Sequence, residues 1–210
     1  MTLPMVVAIS ACTYEREGPP DYHYQEFKSR APNGNTLFIC HAYGCQMQTP
    51  VKFRAAQINE IAALMRKTKK ADTPHEERRA VAYAVGWLER YVGDQIGTSA
   101  DRPGMDFHGP GDPTQQDCVD EATNTTSYML LLQNNGLLKH HTVGRPFSKG
   151  NVLVGGISKW PHWTAVLFEK QNGVKWAVDS WIYANGENPA VIEADKWYID
   201  GLDSLPEKQT

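Results

Sequence analysis

The sequence predicts an α+β fold, with N-terminal helices packed on a C-terminal antiparallel sheet. Two observations carry that prediction. Apolar residues recur at helical spacing through much of the region between residues 54 and 135, and after Gly136 they collect into short runs separated by turn residues. Helices followed by consecutive hairpin strands are the signature of an α+β domain rather than of alternating βαβ units. With 210 residues, 41% of them hydrophobic, the chain is long enough for one domain that buries roughly 70% of its unfolded surface.

The elements follow in order. Ile58, Ile61, Ala62 and Met65 mark a helix over 54–69. Thr73-Pro74-His75-Glu76 is a helix start: Thr caps, Pro suits the first helical position, and Glu completes a capping box. Val81, Ala84, Val85, Leu88, Tyr91 and Val92 then form one stripe, giving a second helix to about Asp94. Residues 97–116 carry Pro and Gly without periodicity and read as a long loop, a kind of segment that is often functional. A third helix is expected from Cys118 to Asn135, ended by Gly136. Strands are expected at 137–143, 151–157, 162–169 and 174–182, the last two joined by a turn containing Gln171-Asn172-Gly173.

Charge and hydropathy exclude two classes. A net charge of −3 argues against a nucleic-acid-binding surface. The basic residues Arg66, Lys67, Lys69 and Lys70 end a helical segment, where cations favour the dipole. No apolar run approaches the roughly 20 residues of a membrane span.

The four cysteines divide by context. Cys12 ends Ile9-Ser10-Ala11-Cys12 after an apolar stretch, which resembles a bacterial lipobox, although no Lys or Arg precedes it. Cys40 and Cys45 flank the turn-rich His41-Ala42-Tyr43-Gly44, and a local disulfide is the simplest reading in an oxidising compartment. A Cys-His-Cys metal site is the rival reading, without a clear fourth ligand. Cys118 is then the thiol left to explain.

Cys118 falls at the junction of the long loop and the third helix, where free N–H groups and the helix dipole stabilise a thiolate and can receive an oxyanion. Asp117 would cap that helix. Its acidic neighbourhood (Asp117, Asp120, Glu121) opposes the thiolate, so a cationic partner is needed. His162 opens one strand and Asp179 lies in the next. If 170–173 is a four-residue hairpin loop, Thr164 faces Asp179, and His162 and Asp179 become diagonal neighbours on one face. The carboxylate would fix the imidazole tautomer, and the imidazole would take the proton from Cys118.

At these residues the chain carries a resemblance. Cys at a helix start, His at a strand start and Asp on the next strand, in that order, resemble papain-like and transglutaminase-like cysteine enzymes. Asp117-Cys118-Val119-Asp120-Glu121-Ala122 is similar to the nucleophile motif of bacterial transglutaminase-like cysteine proteinases, which include periplasmic proteases of cell-surface adhesins, and the 17-residue spacing from His162 to Asp179 is similar to theirs. A closer resemblance, over most of 37–197, is to uncharacterised proteobacterial lipoproteins. It rests on residues 40–45, 97–102, 117–128, 160–166 and 178–186.

The resemblance implies a transglutaminase-like or papain-like domain at 37–200, after a truncated lipoprotein signal at 1–12 and a tether at 13–36, and before a tail at 201–210. It implies a periplasmic protein held to the bacterial membrane by a lipid on Cys12. The expected activity is a cysteine hydrolase cutting a peptide or amide bond of an envelope substrate with Cys118, His162 and Asp179; Gln115 and Gln116 are the candidates for the oxyanion glutamine of papain-like enzymes, which place theirs farther upstream. An acyltransferase of the transglutaminase type would use the same triad, and a catalytically silent envelope binding module would keep only the fold. No cofactor is expected. Asp101, Asp106 and Asp112 offer oxygen ligands to Ca²⁺ but lack the compact alternating-Asp pattern. His140-His141 reads as a solvated pair at a strand start, and Trp160, Trp163 and Trp181 either wall a cleft or fill the core.

Overall fold

The computed structural model describes residues 17–104, 108–150 and 161–199. Among them the architecture is α+β, with five helices and two antiparallel sheets. The order is α1 (Asp21–Glu26), β1 (Thr36–His41), β2 (Met47–Lys52), α2 (Ala55–Thr68), α3 (Pro74–Ile96), α4 (Cys118–Asn134), β3 (His141–Lys149), β4 (His162–Glu169), β5 (Lys175–Asp179), β6 (Ala190–Glu193) and α5 (Ala194–Ile199). β1 and β2 form a separate hairpin, while β3-β4-β5-β6 form a meander in sequence order.

The helices end where local chemistry says they should. Thr73 Oγ1 accepts the Glu76 N–H at the start of α3, and Gly97 closes it at φ 88°, donating its N–H to Gly93 O. Asp117 caps α4 by accepting the N–H groups of Val119 and Asp120 at 3.1 and 2.9 Å. That helix is buried nearly all round, because it runs between β1 on one side and β3 and β4 on the other. Its buried hydroxyls turn inward along the helix: Thr123 donates to Val119 O, Thr126 to Ala122 O and Ser127 to Thr123 O. Apolar residues of α2, α3, α4, the hairpin and the sheet share one core, including Leu37, Phe53, Ile61, Val85, Leu88, Met129, Leu132 and Leu167.

The hairpin that matters for the site has the expected register. Ala165 pairs with Val178 and Phe168 with Lys175, around a loop in which Asn172 Oδ1 accepts the Val174 N–H and Gly173 sits at φ 76°. Elsewhere the structure corrects the expectations. The strand expected at 137–143 begins only at His141 and runs to Lys149, since Leu137 and Leu138 are spent on the core below Gly136. Its register slips between Gly144 and Phe147, a bulge on an edge strand that accommodates Pro146. The run expected at 174–182 stops at Asp179 and turns, with the Tyr183 N–H on Ser180 O. The strand expected at 151–157 and the tail at 201–210 lie outside the described residues.

Two further segments depart from the reading. Within 13–36, the described residues from 17 onward are docked rather than extended as a tether. His23 of α1 meets Thr123 Oγ1 through Nε2 at 2.8 Å, and the Tyr24 and Ser127 hydroxyls are 2.8 Å apart. Both rings are buried against α4. The β1–β2 hairpin was also unforeseen. Its connection is built from Ala42, Tyr43, Gly44 and Cys45, all at φ between 56° and 73°, a left-handed run that three non-glycine residues adopt only under constraint. Cys12 and the lipobox lie outside the described residues, and no helix among the described residues is long and apolar enough to cross a membrane.

Candidate active site

Cys118 is the first residue of α4, and β4 begins with His162 beside it. The Cys118 thiol points at Pro161 O, 3.7 Å away, and the Trp163 N–H is directed at the sulfur, so the backbone on both sides of His162 frames the thiol. Cys118, Ala122, Trp163 and Trp181 pack as one apolar cluster. Only 5% of Cys118 is exposed. Burial, with the Asp117, Asp179 and Asp120 charges adding to it, pushes the thiol up to about 12, against the opposing pull of the Trp163 N–H. At rest the sulfur is therefore a thiol.

His162 Nε2 and Asp179 Oδ2 are 2.7 Å apart, both groups buried. Because an aspartate oxygen accepts, Nε2 is the donor, which in the neutral imidazole leaves the lone pair on Nδ1. Nδ1 is buried and has no hydrogen-bond partner. Nδ1 is therefore not hydrogen-bonded to the Cys118 sulfur, although the backbone on either side of His162 frames the thiol. Trp181 packs against the ring at a 35° tilt with centroids 4.5 Å apart, and its own Nε1–H is buried without a partner. Trp197, from α5, lies 5.5 Å from the same ring and donates its indole N–H to Asp179 Oδ2 at 2.8 Å.

The two glutamines do not serve as oxyanion donors in this arrangement. Gln116 donates its amide to Cys40 O at 3.0 Å, and Gln115 directs its amide at Ala100 O and at Thr114 while accepting the Arg102 N–H. Both tie the 97–116 loop to its surroundings. Asp117 takes the Val119 and Asp120 N–H groups, so the Cys118 N–H is the donor at the helix start that the cap leaves out.

Cys40 and Cys45 are joined in a disulfide, and the third group near the sulfurs is Asp120, not His41. His41 lies between Pro113 O and Thr49 Oγ1. Asp120 accepts the N–H groups of Tyr43, Cys45 and Asp117 at 2.8, 2.7 and 3.2 Å, so one carboxylate two residues from the thiol fixes both the disulfide loop and the helix cap. The Asp117/Asp120 spacing is that of a capping box and was the signal for this role. Trp197 had no such signal, because α5 itself was not foreseen.

The acidic residues proposed for Ca²⁺ have other employment. Asp101 accepts the Gln116 N–H at 2.6 Å, and Asp112 accepts the Thr114 N–H and hydroxyl. Asp106 lies outside the described residues. Among the described residues, Cys40, Cys45 and Asp120 are the one group of three with ligand atoms mutually within 4.8 Å, and its sulfurs are bonded to each other. His141 is buried rather than solvated: its Nδ1 meets Glu77 Oε1 at 2.9 Å, and Glu77 also accepts the N–H groups of Lys139, His140 and His141. It fastens β3 to α3 and takes no part in the site.

Comparison of the chain with protein-family models, with curated proteins and with solved structures finds no match.

Proposed function

We propose that the protein is a cell-envelope cysteine hydrolase of transglutaminase-like or papain-like type, cutting a peptide or amide bond with Cys118, His162 and Asp179. The observation that carries this reading is the His162–Asp179 contact at 2.7 Å, with Nδ1 left bare and the thiol of α4 framed by the residues on either side of His162. Cys118 gives its proton to His162 Nδ1 as the sulfur attacks the carbonyl carbon. The Cys118 N–H and the helix dipole receive the developing oxyanion. The imidazolium, held by Asp179, then protonates the leaving nitrogen, and a water activated by Nδ1 releases the acid. If an amine replaces that water, the same residues perform acyl transfer. The raised thiol means the proton must move within the Cys–His pair, since bulk deprotonation near neutral pH is unfavourable.

Placement in an oxidising compartment is supported by the Cys40–Cys45 disulfide. Anchoring through Cys12, with the bacterial membrane and an envelope protein or peptide as partners, belongs to the same proposal and rests on the lipobox residues. A silent binding module has one observation in its favour, the depth at which the thiol is buried. Acid quenching during incubation with a peptide and amide library, followed by mass spectrometry, separates the readings. A thioester on the Cys118 peptide, turned over to hydroxamate by added hydroxylamine, supports the enzyme; no adduct under any condition supports the module.

A further inference from the structure

Trp197 stands outside the triad yet shares an oxygen with it. Its Nε1–H reaches Asp179 Oδ2 at 2.8 Å, the same atom that accepts from His162 Nε2 at 2.7 Å, while Asp179 Oδ1 is buried without a partner. Both donors converge on one lone-pair region, which fixes the carboxylate's rotation and divides its basicity between two protons. Trp197 is itself held firmly. It is 1% exposed, meets Phe147 edge to face at 5.5 Å, and lies under the Lys149 ammonium, 4.2 Å from the ring centroid. The same ammonium donates to Trp197 O at 2.7 Å. A cation on the face of an indole draws on its π density and makes the N–H a better donor. Lys149 pairs with His162 across β3 and β4, and α5 follows directly on β6, the neighbour of β5.

We infer that Trp197 is a positioning residue for the proposed hydrolase, acting through Asp179 to set the orientation and basicity of His162. This inference rests on the functional reading only for its consequence in catalysis; the coupling itself is a property of three side chains. Among the described residues, Asp179 of β5 bonds the imidazole, Lys149 of β3 pairs with His162 in register, and Cys118 of α4 packs with Trp181, which lies against the ring. Glu121 of α4 interacts with Asp179 in turn.

In Trp197→Phe the ring stays and the N–H goes. Oδ2 then serves His162 alone, so the imidazolium is better stabilised, and the His162 titration followed by NMR of the ring nitrogens moves upward by about half a unit or more. The pH profile of Cys118 alkylation moves with it. A purely structural Trp197 would lower the melting temperature and leave both profiles where they were, which overturns the inference. Should Trp197→Phe fail to fold, the intact protein still decides: the Trp197 indole N–H resonance must shift as His162 titrates, through the Asp179 oxygen they share, and an indole signal that ignores the His162 titration overturns the inference. If His162 titrates differently in Trp197→Phe while Cys118 chemistry ignores His162→Ala, the hydrolase reading falls and the coupling stands.

Discussion

The decisive contact is between two residues 17 apart in sequence, His162 and Asp179, which meet because a four-residue loop fixes the register of β4 and β5. Asp179→Asn removes the carboxylate that keeps the proton on Nε2. The amide would equally well donate to Nε2, putting the proton on Nδ1, where it cannot accept from sulfur. Hydrolysis should fall by about 10³–10⁴-fold, with little loss of stability, when turnover of a cleaved substrate is compared with wild type. The placement of Cys118, His162 and Asp179 was legible because each stands at an element boundary that local chemistry marks: a cap, a strand start, a turn-defined register. The glutamines misled because Gln115 and Gln116 neighbour the thiol in sequence while their amides are spent on Cys40 O, Ala100 O and Thr114. Nothing in a linear pattern shows where a side-chain amide is consumed.

At the scale of elements, α4 is held at its reactive end by Asp120, which binds two N–H groups of the disulfide loop and one of the cap. Asp120→Ala strands those three donors and should cost about 2–4 kcal/mol in denaturant unfolding. Asp117→Ala, which removes the N-cap alone, should cost about 1 kcal/mol. Replacing both Cys40 and Cys45 by Ser should cost about 2 kcal/mol, the entropy expected of so short a closed loop. These losses share the loop at 42–45 and should not add when combined. The same loop explains why β1 and β2 escaped the sequence reading. Its left-handed turn uses Ala42, Tyr43 and Cys45 where a turn signal would be Asn or Gly, and β2 contains Pro50. The β4–β5 turn, by contrast, carries Asn172-Gly173 and was readable.

Across the whole molecule, buried acids dominate the pH response. Glu121, hydrogen-bonded by Ser180 at 2.7 Å, is pushed to about 7 by burial, and Asp101 to about 8 by burial and the Glu121 charge. Glu89, wholly buried beside Gly186, is raised as well by burial and by Glu121. Carboxyls with ordinary unfolded values near 4 that titrate higher when folded hold extra protons in the native state. Stability is then fully present below about pH 4 for these groups and declines as pH rises through 7 to 8. Asp72, lowered to about 2 by Lys139 and His140, titrates below this window and does not offset it. The melting temperature should be about 5 °C or more higher at pH 5.5 than at pH 8.5; a melting temperature that rises over that interval contradicts the assignment. The α+β class was readable from periodicity alone, whereas the docking of α1 and the β6–α5 closure over Asp179 depend on tertiary contacts of short segments with weak patterns of their own.

In the proposed mechanism His162 activates Cys118, and the pH dependence of Cys118 alkylation by iodoacetamide reads that activation, with the Cys40–Cys45 bond kept oxidised and Cys12 replaced. In the wild type, labelling should proceed near neutral pH, because His162 Nδ1 takes the thiol proton as the sulfur attacks the reagent. In His162→Ala it should require a more alkaline pH, because burial and the neighbouring carboxylates raise the thiol and no base is left to take its proton. Identical profiles in the two proteins, or a thiol that resists labelling in both, would contradict the account.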